Sequence, residues 1–598
     1  MRITEPTDDF VIVDIPQAPK KHDATSQSAT RSHRKHKVSE SVVSRIIRVS
    51  EDEAELKAFY NVPGSETRHD RLTKFYTDEL DSLPSHDFDT LSHEDKADFI
   101  LLKGYLNRCT RNLSLEQKHN DEVETIIGAF ASPIREWCEK RQRVDPIRPQ
   151  EMAASLHKAT GLVTRYREEI VNDKTSSSPR TSKVTAYRVT KTLAALQSLL
   201  AETVDFYKGY DPLFDWWVTV PHRDLDSSLT SLVATIREHL LDIRPGPDGS
   251  GDDDVILGDP IGRDGLLTEL EAELICYTPE ELLQIAEHEF AWCETEMRKA
   301  AVALGFSSSD WKSALEAVKN KYEPPGSQPL FIQSLVREGS AYVRQHDLVT
   351  VPPLAEEGIR MYMLSPRMQK VSPFFLGGPY LQVSYPTAAM PHADKLMSLR
   401  GNNRHFSRAT AFHEMIPGHH LQEFVGARSG PRARARQGMF STPFYVEGWA
   451  LYWEMVLWDR GDFFVSAEDK VGSLFWRMHR CVRIVFSLRF HLGELSAQEC
   501  VDMLVERVGH ERATAEGEVR RSLDGSYSPL YQAGYMLGAL QIMRLRREAV
   551  EVKDGMGEKE FHDRILAEGE MPIEMLRALI LGHELTSDFG SSWRFYDL

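Results

Sequence analysis

The segment TPEELLQIAEHEFAWCETEMRKA, residues 278–300, sets the fold class. Ala286, Phe290, Cys293, Met297 and Ala300 recur at steps of three and four, which draws one apolar stripe along a helix. The start of that helix is equally legible. Thr278 is placed to cap it, Pro279 takes the first helical position where a missing N–H does no harm, and Glu281 reaches back to complete a capping box. Ser496 and Glu499 repeat the pattern ahead of CVDMLVERV. Most of the chain reads the same way, and strand signals are confined to VTVPP (349–353) and PYLQVSYP (379–386), each flanked by Gly or Pro. The expectation is a mainly α body with a small β element.

Composition bounds the function classes. The 598 residues are 41% hydrophobic and 27% charged, as in a globular chain rather than a disordered or collagen-like one. Apolar runs fall short of the ~18–20 residues that span a bilayer. Seventy-two basic against ninety acidic residues leave a net charge of -18, the wrong sign for a general grip on nucleic acid. The opening MRITEPTDDFVIVDIPQAPKK lacks the basic start and unbroken apolar stretch of a secretory signal, so a cytoplasmic location is expected. Six cysteines without CxxC spacing give neither a disulfide framework nor a thiolate zinc site. Residues 1–50 carry few large apolar side chains and read as a mobile polar arm, within which RSHRKHK (31–37) is a solvated basic cluster. Polar breaks at 172–183 and 244–254 read as loops.

The chemistry concentrates in ATAFHEMIPGHHLQEF, residues 409–424, where His413, Glu414, His419 and His420 stand within eight residues. In a zinc helix of the H-E-x-x-H kind, two imidazoles one turn apart hold the ion and the Glu acts as general base. Here the spacing is longer. On a regular helix His413 and His419 point about 240° apart, and His413 and His420 share a face but lie about 10 Å apart along the axis. Pro417 and Gly418 stand where the distortion must fall, and an expanded turn there can return a second imidazole to the ion. Some distance on, FYVEGWALYWE (444–454) sets Glu447 and Glu454 seven apart on one helical face. Glu447 can complete a three-ligand site with a position left for water, and Glu454 can orient a ligating imidazole from behind. Trp449, Tyr452 and Trp453 serve packing.

Together HEMIPGHHLQ and VEGWALYWE resemble the DUF885 family of predicted zinc enzymes, whose pattern is H-E-x-x-P-G-H-x-x-Q followed by E-G-W-A-x-Y-x-E. That family is similar in arrangement to helical Glu-zinc metallopeptidases, and the resemblance covers about residues 55–590. It implies one zinc ion per chain held by His413, His419 and Glu447, with His420 the weaker ligand candidate, Glu414 as base and Gln422 as a pattern residue. A third block, PLYQAGYMLGALQIMRLRREA (529–549), resembles P-x-Q-A-x-x-Y-x-x-G, and nominates Tyr535, with Tyr531 behind it, as a phenol for the oxyanion. Upstream, SLRFH (487–491) departs from the family's Asp-Thr-Gly-Leu-His but keeps His491, a further candidate to face the reacting carbonyl. Glu518 falls on the pattern as a partner for a nearby base.

The resemblance implies a two-lobed helical metallopeptidase-like body over 51–598, with the metal-binding core at about 375–550 and the β element beside a deep cleft. The expected activity is zinc-dependent hydrolysis of amide bonds in short peptides, without nucleic-acid or membrane partners. PYLQVSYP is suited to align an extended peptide by edge pairing. Two alternatives stand beside it. The altered SLRFH and the stretch ADKLMSLRGNNRHFSR (393–408) suit a metal enzyme acting on a non-peptide or peptide-like small molecule. A silent helical scaffold is the other, although it has no chemical need for a base and all the ligands together.

Overall fold

The computed structural model describes residues 40–172, 181–243, 255–369 and 377–598, and Val42–Leu598 forms one compact unit. Of the expected polar arm, residues 1–39 with the basic cluster lie outside the described residues, whereas Val42–Phe59 is a helix, so the arm cannot extend to 50. The loop at 172–183 lies outside them for 173–180, and the loop at 244–254 does so throughout.

The helix that decides the class runs Pro279–Ala303. Thr278 Oγ1 accepts from the Glu281 N–H at 3.2 Å and Glu281 Oε2 accepts from the Thr278 N–H at 2.8 Å, the reciprocal box. Its stripe from Ala286 to Ala300 is buried against the helix Ala467–His491. The same box, from Ser496 and Glu499, opens Ala497–Met503.

The helices pack around two large cores. A helix of fifty residues, His93–Gln142, serves both: Phe99, Leu102 and Leu106 enter the larger core, while Ile127, Phe130 and Ile134 enter the second. At 1.5 Å per residue it is about 75 Å long, more than one core can cover. Pro149–Asn172, Lys183–Tyr207 and Pro212–His239 complete the second region. The larger core is dense in aromatic side chains, with Tyr445, Trp449, Tyr452 and Trp453 of the helix Pro443–Asp459 fully buried.

Strands are scarcer than the sequence signals. Among the described residues, Met361–Met363 (β1) pairs in parallel with Leu381–Val383 (β2), and the latter falls inside the expected PYLQVSYP. VTVPP forms no strand: Pro352 caps and Pro353 opens the short helix Pro353–Glu357, since proline lacks the N–H a strand ladder needs. Leu381 and Val383 turn inward onto Ala411 and Met415, which fixes the β element against the His413 helix.

Two glycines let the central helices touch. A Cβ on Gly448 would lie 2.8 Å from the Gly538 backbone, and one on Gly538 would lie 2.1 Å from the Phe444 carbonyl oxygen. Pro443–Asp459 and Tyr531–Ala549 therefore approach backbone to backbone.

Buried His562 links this core to the loop before the first strand: its Nδ1 faces the Leu348 carbonyl at 2.7 Å and its Nε2 the Tyr452 hydroxyl at 2.7 Å. Burial holds its pKa down at about 4. The unfolded chain protonates this imidazole near pH 6.5 while the folded one stays neutral, so stability present above 6.5 is lost as pH falls toward 4. Denaturant unfolding should show that decline, with about 3 kcal/mol attributable to this group. His562→Gln should be less stable at pH 7 and show a correspondingly shallower decline; an unchanged slope would refute the assignment.

Candidate metal centre

The motif is built as two helices rather than one with an expanded turn. Asn403 caps the first, Arg404–Glu414, by accepting from the His405 and Phe406 N–H groups at 3.0 Å each. It stops at Glu414, because Met415 leaves helical dihedrals and Pro417, after a cis peptide bond, has no N–H to continue the ladder. Gly418 then passes so close to the first helix that a Cβ would sit 1.8 Å from the His413 carbonyl oxygen, a contact only glycine permits. The second helix, His419–Gly426, restarts with His419 as its first residue. Trp449 pins the break from the neighbouring helix by donating from Nε1 to the Pro417 carbonyl at 2.9 Å.

This brings His413, His419 and Glu447 together, with one ligating atom from each lying within 4.8 Å of the others. Both imidazoles aim Nε2 at the same Glu447 oxygen, Oε2, at 3.3 Å from His413 and 3.1 Å from His419. Their rings stand 88° apart at 4.8 Å. The other oxygen of Glu447 accepts from the Tyr531 hydroxyl. Behind His413, Glu454 Oε1 lies 2.8 Å from Nδ1 and fixes the ring with Nε2 pointing inward.

The electrostatics follow from burial. Desolvation alone would raise Glu447, yet the two imidazoles outweigh it and hold its carboxyl well below the usual range. Desolvation likewise opposes charge on His413, but Glu447 and Glu454 hold that imidazole up at about 9. Glu414, the residue after the first ligand candidate, is pushed up by burial, against the pull of both imidazoles and a hydrogen bond from the Gly377 backbone. His413, Glu414, His419 and Glu447 face a cavity of about 230 Å³ that Tyr531 and Tyr535 also line.

Other candidates fall differently. His420 does not join the cluster: the restarted helix turns it away from Glu447 into another buried site, where its Nδ1 and Nε2 face the carbonyls of Gly378 at 2.9 Å and Ala355 at 2.7 Å. Gln422 donates to the Tyr445 carbonyl at 3.3 Å, tying its helix to the one that bears Glu447. Tyr535 stacks on His413 at 5.9 Å and 11°, whereas Tyr531, ranked behind it in sequence, is the phenol that touches a ligand candidate. His491 ends its helix eleven residues past Arg480, about 16 Å along the axis, and does not line the cavity. Burial holds its pKa at about 4 against the pull of the Asp259 carboxylate, and its Nδ1 has no hydrogen-bond partner among the described residues. Arg480 and Arg483 do line the cavity and were not singled out in sequence; their signal is arginine at steps of three, Arg477, Arg480 and Arg483, in an apolar helix.

Solved structures share the fold. One from Shewanella oneidensis, described as a putative lipoprotein of unknown function, aligns with a TM-score of 0.64 at 17% identity over 90% of this chain and 100% of its own. Another from Colwellia psychrerythraea, described as a putative lipoprotein, aligns with a TM-score of 0.53 at 15% identity over 91% and 99%. These descriptions overturn the cytoplasmic expectation. No helix among the described residues is long and apolar enough to cross a membrane, but an attached lipid anchors a protein without one, so that criterion does not fix the compartment. Among curated proteins none matches the chain. The model of DUF885, bacterial protein of unknown function, matches residues 62–580, and the chain belongs to that family.

Proposed function

We propose that the protein is a zinc-dependent hydrolase of amide bonds in short peptides, with its metal-binding core at about residues 375–550. The observation that carries this reading is the convergence of two imidazole Nε2 atoms on one buried carboxylate oxygen, with a second carboxylate, Glu414, facing the same cavity. The donor set fits zinc: His413, His419 and Glu447, drawn from separate elements, would hold the ion through two nitrogens and one oxygen. Tyr531 occupies Glu447 Oε1, which leaves Oε2 for the ion. Glu454 gives His413 the carboxylate backing usual for a metal-bound imidazole.

Zinc held there supplies Lewis acidity to a water and to the substrate carbonyl. The remaining steps belong to the chain. Glu414 accepts the proton of the attacking water as its oxygen bonds to the acyl carbon, and then delivers it to the amine as the C–N bond breaks. Tyr535, lying over His413 in the cavity wall, donates to the oxyanion that develops on the carbonyl. A cavity of about 230 Å³ suits a few residues of chain and not a folded protein.

Purified protein should carry about one zinc per chain by plasma mass spectrometry, and Glu447→Ala should lose it. Glu454→Gln should still fold but bind zinc some 10–100-fold more weakly. Glu414→Gln should keep its zinc and cut a pool of short peptides about 100-fold more slowly or worse. A folded wild type without affinity for zinc, or a Glu414→Gln variant as fast as wild type, would sink the reading.

A further inference from the structure

The cavity has a second charged wall opposite in sign to the triad's carboxylate. Arg480 and Arg483, one turn apart on Ala467–His491, line it together with Arg521 from the helix Arg512–Leu523. Arg480 is 5% exposed and Arg483 2%. Guanidinium groups so buried need partners, since an unpaired buried charge is costly. Glu518, fully buried, takes Arg483 Nε at 3.1 Å and Arg521 Nη2 at 2.6 Å. Glu454 takes Arg480 Nη2 only at 3.4 Å, its closer bond being to His413. Three guanidinium groups thus share two carboxylates, one of them already engaged. Pairing is incomplete: Arg480 Nε and Arg483 Nη2, both shielded from solvent, have no hydrogen-bond partner among the described residues, while Arg480 Nη1 donates to the Trp476 carbonyl at 3.4 Å and Arg483 Nε is also taken by Gln532 Oε1 at 2.5 Å.

Tyr535 sets the spacing between this wall and the triad. Its ring lies 5.9 Å from that of His413, and the Arg483 guanidinium carbon lies 4.0 Å from its centroid. The guanidinium is therefore no farther from the His413 ring than those two spacings laid end to end, the reach of one to three residues of extended chain at about 3.3–3.6 Å each. The surplus of guanidinium over carboxylate groups in this wall suits an anion, and a carboxylate is the anion a peptide carries at its end.

We infer that Arg480, Arg483 and Arg521 receive the C-terminal carboxylate of the substrate peptide, so that the bond cut lies near the C-terminus and the products are a shortened peptide and a small amino-acid fragment. This rests on the hydrolase reading above for the cleavage, but not for the binding.

The test uses two matched pools of N-acetylated tripeptides and tetrapeptides, one with free C-termini and one amidated, followed by mass detection and, for binding, by calorimetry with the zinc-bound Glu414→Gln protein. Free acids should be cut about 100-fold more efficiently than amides, and Arg483→Gln should erase most of that preference. The substrate comparison needs no variant, so it stands even if Arg483→Gln fails to fold. Acids and amides cut alike would overturn the carboxylate wall and leave the hydrolase intact. Acids bound in preference to amides, with neither cut by wild type, would uphold the wall and remove the hydrolase. Neither cleavage nor acid-selective binding would overturn the wall. Selection of amidated members ending in Asp or Glu would move the anion to a side chain and overturn the C-terminal assignment.

Discussion

Glu447 keeps a negative charge in a place that almost no water reaches, and the arrangement around it exists to make that tolerable. A lone carboxylate so buried would take up a proton. Two imidazoles from separate helices and a phenol from a third surround it instead. Each of these groups depends on a local backbone feature. His419 reaches the carboxylate because the chain breaks at Pro417 and Gly418, and Tyr531 reaches it because Gly448 and Gly538 let their helices meet without side chains between them. The candidate metal centre is therefore a property of how four segments pack, not of any one motif.

Electrostatic order extends outward from that carboxylate in alternating shells. His413 lies between Glu447 and Glu454, and Glu454 in turn faces Arg480. Arg483 and Arg521 then bracket Glu518. Buried ions linked in this way hold one another's geometry, because displacing any member leaves its neighbour uncompensated. Tyr535 lies between the two groups, its ring parallel to that of His413 at 5.9 Å and under the Arg483 guanidinium at 4.0 Å.

Much of this was legible in the sequence because the signals were local. Caps such as Thr278 and Ser496, the apolar stripe from Ala286 to Ala300, and a Pro-Gly break between two histidines each depend on neighbours within a few residues. What failed depended on phase or on distant pairing. Sequence ranks His419 above His420, and His419 is the one that meets Glu447, but the physical reason lies in the restart of the helix at His419. Tyr531 and Tyr535 share a helix face one turn apart, so spacing alone could not rank them. Met361–Met363 is a strand only because Leu381–Val383 lies beside it, while VTVPP has strand-forming residues whose prolines begin a short helix instead. His491 looked catalytic by resemblance, yet its distance along a straight helix removes it from the cavity.

The fifty-residue helix also orders events during synthesis. The second core draws its residues from Val62 and then Val123–Ile243, a nearly continuous stretch that leaves the ribosome early and can close by short-range contacts. The larger core joins Val42–Leu113 to residues as late as Phe595, so its first helices must wait for almost the whole chain. During that interval the N-terminal half of the long helix has only the helices Val42–Phe59 and Glu66–Ser82 to pack against, and the rest of its apolar face waits for later parts of the chain. Part of that apolar face therefore stays open until translation is nearly complete, which makes the last helices the ones that close it.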